Sequence, residues 1–138
     1  MFSTVAVGTD GSATAGEAVE KAAEIARRFD AKLVLLSATE GPGAPPDGDP
    51  ELQWATNSAA RVTALLEQLA HELGEDGLEV ETRAEEGDPA ETLVRLAEEA
   101  GAELLVIGNK GMQRRVLGSV PNTVTHRAGC SVLVVKTT

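Results

Sequence analysis

The sequence predicts an α/β fold: a five-stranded parallel, doubly wound open sheet of order 3-2-1-4-5 with helices on both faces. Three observations predict it. The runs Thr4–Val7, Leu33–Leu36, Leu104–Ile107 and Val132–Val135 are almost wholly apolar, as parallel strands covered on both faces must be. Segments with apolar residues at helical spacing stand between the runs, so the order reads β-α-β-α-β-α-β-α-β. Right-handed crossovers then wind such a chain into layers on both sides of one sheet.

Each element has its own signals. Strand 1 is Thr4–Val7. Helix 1 follows from an N-cap at Ser12, with Ala15, Ala18, Ala22, Ile25, Ala26 and Phe29 on its buried face. Strand 2 is Lys32–Leu36. Residues 39–49 are rich in Gly, Pro and Asp and read as the one long loop, mobile in character. Asp49-Pro50 forms an N-cap and N1 pair for helix 2, which carries Ala55, Ala59, Val62, Leu65, Leu66, Leu69 and Leu73 on one face and stops at Gly74. Leu78–Thr82 alternates apolar with polar and reads as an edge strand. Asp88-Pro-Ala-Glu91 opens helix 3 with the character of a capping box, and Leu93, Val94, Leu96, Ala97 and Ala100 carry it to Gly101. Glu103–Ile107, Ser119–Ala128 and Ser131–Lys136 complete the series as strand 4, helix 4 and strand 5.

A chain of 138 residues fits a single domain, residues 1–138, and buries roughly two-thirds of its unfolded surface without a staple. The lone Cys130 excludes an internal disulfide framework and reads as a small buried apolar residue. The opening Met1–Gly8 has no basic start and breaks into Thr-Asp-Gly, so no signal peptide is expected. No apolar run approaches the ~20 residues of a membrane span. The expected location is the cytoplasm.

The richest stretch runs from Val106 to Asn122. An apolar strand stops at Gly108, two more glycines follow at Gly111 and Gly118, three cations (Lys110, Arg114, Arg115) stand between them, and Ser119 opens a helix. Glycines let backbone N–H groups approach an anion, and a helix N-terminus adds donors and positive potential, so this stretch reads as a phosphate cradle. Charge placement agrees. The chain is at −10 overall, yet no Asp or Glu follows Glu103; residues 1–103 carry −15 and residues 104–138 carry +5. Long-range repulsion opposes a nucleic-acid partner, and only Phe2, Phe29 and Trp54 are available to stack on bases. A small anion in a local pocket fits better. In a doubly wound sheet, ligands sit beyond the carboxyl ends of the strands where the winding reverses, so the loop after strand 1, Gly8-Thr-Asp-Gly-Ser12, shares that crevice.

Two common phosphate motifs fail. Gly11-Ser-Ala-Thr-Ala-Gly16 is followed by Glu17 and Ala18, so the Lys and hydroxyl of a P-loop are missing. Gly-x-Gly-x-x-Gly occurs nowhere. The segments Val5–Ser12, Gly87-Asp-Pro89, Leu104–Gly111, Leu117–Asn122 and Cys130–Val135, taken in order, resemble the universal stress protein family, and the resemblance spans nearly the whole chain. One branch of that family binds ATP through Gly-x-x-Gly, nine residues, then Gly-Ser/Thr. Gly108-Asn-Lys-Gly111 and Gly118-Ser119 fit that pattern, with six residues between them in place of nine. The resemblance implies Thr9 and Asp10 near the ribose or a Mg²⁺ ion and the Ala38 backbone near the adenine. It implies Gly108, Asn109, Lys110, Gly111, Gly118, Ser119 and Val120 around the phosphates, with Arg114 and Arg115 supplying charge that the shorter loop lacks. It further implies a stress-response regulator and a homodimer formed through Val132, Leu133, Val134 and Val135. An uncharged apolar strand at a sheet edge agrees with such pairing.

Plainer readings stand beside these. Asp10 serves equally as an Asx-turn residue, Gly118-Ser119 as a helix cap, and Arg114 and Arg115 as solvated charges. His126 lies seven residues after Ser119, a rise of about 10 Å, too far for a Ser–His pair. His71 is read as structural, and Trp54 as packing under the 39–49 loop. No nucleophile with a positioned base and no Cys/His zinc set can be read. The expected function is therefore binding of an adenine nucleotide, ATP first, with cyclic AMP or AMP as lesser options. The alternatives are an interaction module that has lost its ligand and a slow, metal-assisted nucleotide hydrolase using Asp10.

Overall fold

The computed structural model describes residues 2–9, 13–39, 58–109 and 119–136. In chain order the elements are β1 (Thr4–Gly8), α1 (Ala13–Phe29), β2 (Lys32–Thr39), α2 (Ser58–Leu73), a 3₁₀ turn (Gly74–Asp76), β3 (Val80–Glu86), α3 (Pro89–Ala100), β4 (Leu104–Gly108), α4 (Ser119–Arg127) and β5 (Ser131–Val135). The five strands form one sheet of order β3-β2-β1-β4-β5, and every neighbouring pair is parallel. The expected fold class is the observed one. The helix start expected at Asp49-Pro50 and the N-cap at Ser12 lie outside the described residues, as do Trp54 and Ala55.

Strand periodicity divides the core into two layers. Val5 and Val7 of β1, Leu33 and Leu35 of β2, and Leu104 and Val106 of β4 face the first layer. There they meet Ala18, Ala22, Ala23 and Ala26 of α1 and Val62 and Leu66 of α2. The alternate residues Ala6, Val34, Leu36, Leu105 and Ile107 face the second, against Ala90, Leu93, Leu96 and Ala97 of α3 and Val124 of α4. The division follows the winding. α1 and α2 lie on the crossovers that step from β1 towards β3; α3 and α4 lie on those that step back through β4 to β5. A change of direction with constant handedness moves the helices to the opposite face. The small residues of α1 let it lie close over β1 and β4, while leucines fill the space under α3. Each buried leucine adds roughly 1.5–3 kcal/mol of hydrophobic stabilisation.

Several boundaries differ from the sequence expectations, each for a physical reason. β2 continues past Leu36 through Ser37, Ala38 and Thr39, because β3 pairs with it as far as Thr39 and Glu86. β3 starts at Val80 and takes in Arg83–Glu86, charged residues that an edge strand tolerates because its outer face meets water. Its Glu81 carboxylate joins Lys32 Nζ at 2.8 Å and Arg83 Nε at 2.6 Å. The α2 helix ends at Leu73, where Gly74 signals its stop; a 3₁₀ turn follows, and Gly77, at φ 96°, reverses the chain. Phe29 was expected on the buried face of α1 but is 44% exposed. It lies one turn beyond Ala26 and packs edge-on against Phe2, with ring centroids 5.3 Å apart.

α3 begins as expected. Asp88 adopts an extended backbone and its carboxylate accepts the Glu91 N–H at 3.2 Å, with Pro89 at N1. Only half the capping box is made among the described residues, because Glu91 turns instead to Arg127 of α4 at 3.0 Å. Gly101, at φ 74°, closes the helix through its N–H to Ala97 and Glu98 carbonyls.

Two predictions follow from these joints. Gly87 precedes α3 at φ 151°, and an added Cβ would stand 2.4 Å from Thr92 Oγ1, on a stiff β-branched side chain. Gly87→Ala is expected to destabilise the domain by about 1–3 kcal/mol, seen as a lower urea midpoint at unchanged slope. An unaltered midpoint would contradict the strain at this site.

At the opposite edge of the sheet, the Glu103 carboxylate accepts the N–H groups of Ser3 and Thr4 and fastens β4 to β1. Those two donors hold its pKa below the ordinary 4.5. A pKa depressed in the folded state gives stability that is complete above the ordinary glutamate range and is lost as pH falls through the folded value. Glu81, lowered by Lys32 and then Arg83, acts in the same direction. Glu103→Gln should therefore flatten, without abolishing, the fall in stability from about pH 5 downward, measured by unfolding at stepped pH.

Candidate functional site

The unequal lengths of β1 and β2 leave a step at the carboxyl edge, where the crevice is expected. β1 ends at Gly8, paired with Leu36, and the Thr9 N–H donates to the Leu36 carbonyl at 2.9 Å. β2 runs on to Thr39, held from its other side by the Gly87 N–H on the Thr39 carbonyl at 3.0 Å. Backbone groups of successive strand residues point alternately left and right. Leu36 bonds towards β1 and Thr39 towards β3, so Ala38 presents both its N–H and its C=O on the side where β1 has already ended. Gly108 mirrors it across the crevice. The Asn109 N–H donates to Val135 of β5 at 3.0 Å, so the backbone groups of Gly108 face the β1 side. Register between β1 and β4 extends to Val7 and Val106. Polar backbone from two strands thus converges on the space beyond Gly8.

Close packing keeps that space narrow below. A Cβ on Gly8 would lie 3.1 and 3.2 Å from the Leu93 methyl groups and 3.6 Å from Ile107 Cγ2. Glycine there allows α3 to press against the end of β1. Four buried polar side chains are found among the described residues: Thr9, Ser37, Thr39 and Thr92. All four lie towards the carboxyl edge, whereas the strands below are aliphatic. Sequence reasoning named only Thr9 among them. The signal for Ser37 and Thr39 was Ser37-Ala-Thr39 directly after Leu33–Leu36, where hydroxyls replace aliphatic side chains at the end of a strand; Thr92, inside α3, carried none.

Of the residues expected at the site, the structure brings together Thr9, Ala38, Gly108 and Asn109 at the ends of β1, β2 and β4. Ser119 is the first residue of α4, so its backbone stands at a helix N-terminus. Val120 is partly buried and packs against the second core layer, which leaves its backbone, not its side chain, to serve a ligand. Asp10, Lys110, Gly111, Arg114, Arg115 and Gly118 lie outside the described residues. Arg127, one of the five cations after Glu103, is engaged by Glu91. Lys136 is exposed immediately after β5, at the same edge as Asn109.

His126 is exposed, and its Nδ1 lies 2.8 Å from the Asn122 carbonyl, one helical turn back. His71 is exposed on α2. Cys130 is partly buried against the second layer; burial, reinforced by the Glu98 charge, pushes its thiol pKa up, away from the reactive thiolate. No cluster of His, Cys, Asp or Glu suited to a metal ion occurs among the described residues. What the arrangement can do is bind: backbone donors and acceptors at the sheet's reversal suit a small polar ligand.

Known proteins carry the same design. A model of the universal stress protein family matches residues 1–136. A universal stress protein of Mycobacterium tuberculosis is 39% identical, with 99% of this chain and 98% of the relative covered. A crystal structure of a universal stress protein in complex with cAMP superposes with a TM-score of 0.73 at 36% identity, covering 97% of this chain and 96% of the other. A universal stress protein from Lactobacillus plantarum superposes with a TM-score of 0.78 at 26% identity, covering 96% and 97%. Matched along its length in sequence and in overall fold, the chain belongs to the universal stress protein family.

Proposed function

We propose that this protein is a regulatory binder of an adenine nucleotide, seated across the carboxyl ends of β1 and β4, and that it acts in the stress response. The observation that carries the reading is the paired backbone of Ala38 and Gly108 facing the space beyond β1. One residue offering N–H and C=O side by side complements adenine, which presents an acceptor at N1 and a donor at N6. Guanine presents the reverse pair, so the same edge disfavours it. Gly108-Asn-Lys-Gly111 and Gly118-Ser119 supply glycines and a helix N-terminus for phosphate, and Lys110, Arg114 and Arg115 supply charge. These features support ATP, with Asp10 as the carboxylate available to a Mg²⁺ ion. The single cysteine, which makes the fold independent of disulfides, supports a cytoplasmic setting.

A second ligand is favoured by one specific observation. Six residues separate Gly111 from Gly118, where the ATP-binding pattern has nine, and a relative at 36% identity holds cAMP. A shorter loop encloses one phosphate more readily than three. Calorimetric titration with ATP and Mg²⁺, cAMP, AMP and GTP distinguishes these readings. The adenine nucleotides are expected to bind, with GTP at least tenfold weaker; the ratio of the ATP and cAMP affinities identifies the ligand. The absence of both heat and a thermal shift at millimolar ATP and cAMP would overturn the reading in favour of an interaction module. Gly108→Val should lower nucleotide affinity tenfold or more, because its side chain would occupy the approach to the backbone. Equal affinity in that variant would move the site elsewhere.

We further propose a homodimer through β5. The two sheet edges support this by their contrast. β3 carries Glu81, Arg83, Glu85 and Glu86 along its length, which discourages pairing. β5 carries Val132, Leu133, Val134 and Val135 with no charge, and Val134 is 37% exposed. Val134→Lys should convert a dimer to a monomer in analytical ultracentrifugation while leaving the far-UV circular dichroism unchanged. A wild-type protein that sediments as a monomer at tens of micromolar would refute the interface.

A further inference from the structure

We draw no further inference here: the strongest candidate, the open groove at the amino-terminal edge of the sheet lined by Arg27, Asp30, Lys32, Asp76 and Glu79 near the exposed Phe29, carries nothing, because Arg27 and Lys32 are already paired with Asp76 and Glu81 and nothing in the structure shows what covers it.

Discussion

The parallel ladders on the two sides of β1 are the constraint on which the rest of the structure depends. Val5, Ala6 and Val7 are wholly buried, so β1 needs a strand on each side and a helical layer on each face. Parallel neighbours need crossovers, and crossovers need helices of the length of α1 and α3. The carboxyl ends of β1, β2 and β4 must then emerge at one edge. What the local sequence adds is that β2 runs on to Thr39, beyond the level at which β1 ends at Gly8, so the Ala38 backbone groups point to the β1 side past its last paired residue.

The charged surface contributes little to the fold and much to its boundaries. Arg95 reaches Glu85 at 2.8 Å and Glu99 at 3.1 Å, and Arg27 reaches Asp76 at 2.9 Å, all substantially exposed. Pairs of this kind are worth roughly 0–1 kcal/mol each, far less than one buried leucine. Their value lies in placement. Along β3 they keep an open sheet edge hydrated and unattractive to other strands. Between Arg127 and Glu91 they tie α4 to α3 over the second core layer. The acid-free last quarter of the chain is then not uniformly available for a ligand, since one of its cations already has this structural partner.

Much of this was legible in the sequence, and the failures share a cause. The aliphatic runs of β1, β4 and the first half of β2 and the capping signals of α3 announce themselves locally, because burial on both faces and a free helix end each demand particular residue types. β3 beyond Thr82 and β2 beyond Leu36 do not. Arg83–Glu86 becomes strand only because Leu36–Thr39 lies beside it, and the reverse is also true; neither segment contains the reason for its own conformation. Phe29 fits the apolar face of α1 by spacing, but the helix outlasts the sheet beneath it. At the site, Thr9 and Gly108 stand out beside apolar runs. Ala38 is chemically featureless, and it was identified through family resemblance alone. Its importance comes from where a neighbouring strand ends.

The site proposed at the main chain of Ala38 and Gly108 would select by the direction of N–H and C=O groups, and small side chains matter there because they stay out of the way. Among the described residues, the Cys130 thiol is pushed towards its neutral form and His126 leans on its own helix, while the expected carboxylate Asp10 lies outside the described residues. The uncharged β5 lies on the strand adjacent to β4, one ladder away from Gly108, and Asn109 donates directly to its last residue, Val135. The two proposed surfaces, the nucleotide site and the dimer edge, thus share one hydrogen-bond ladder.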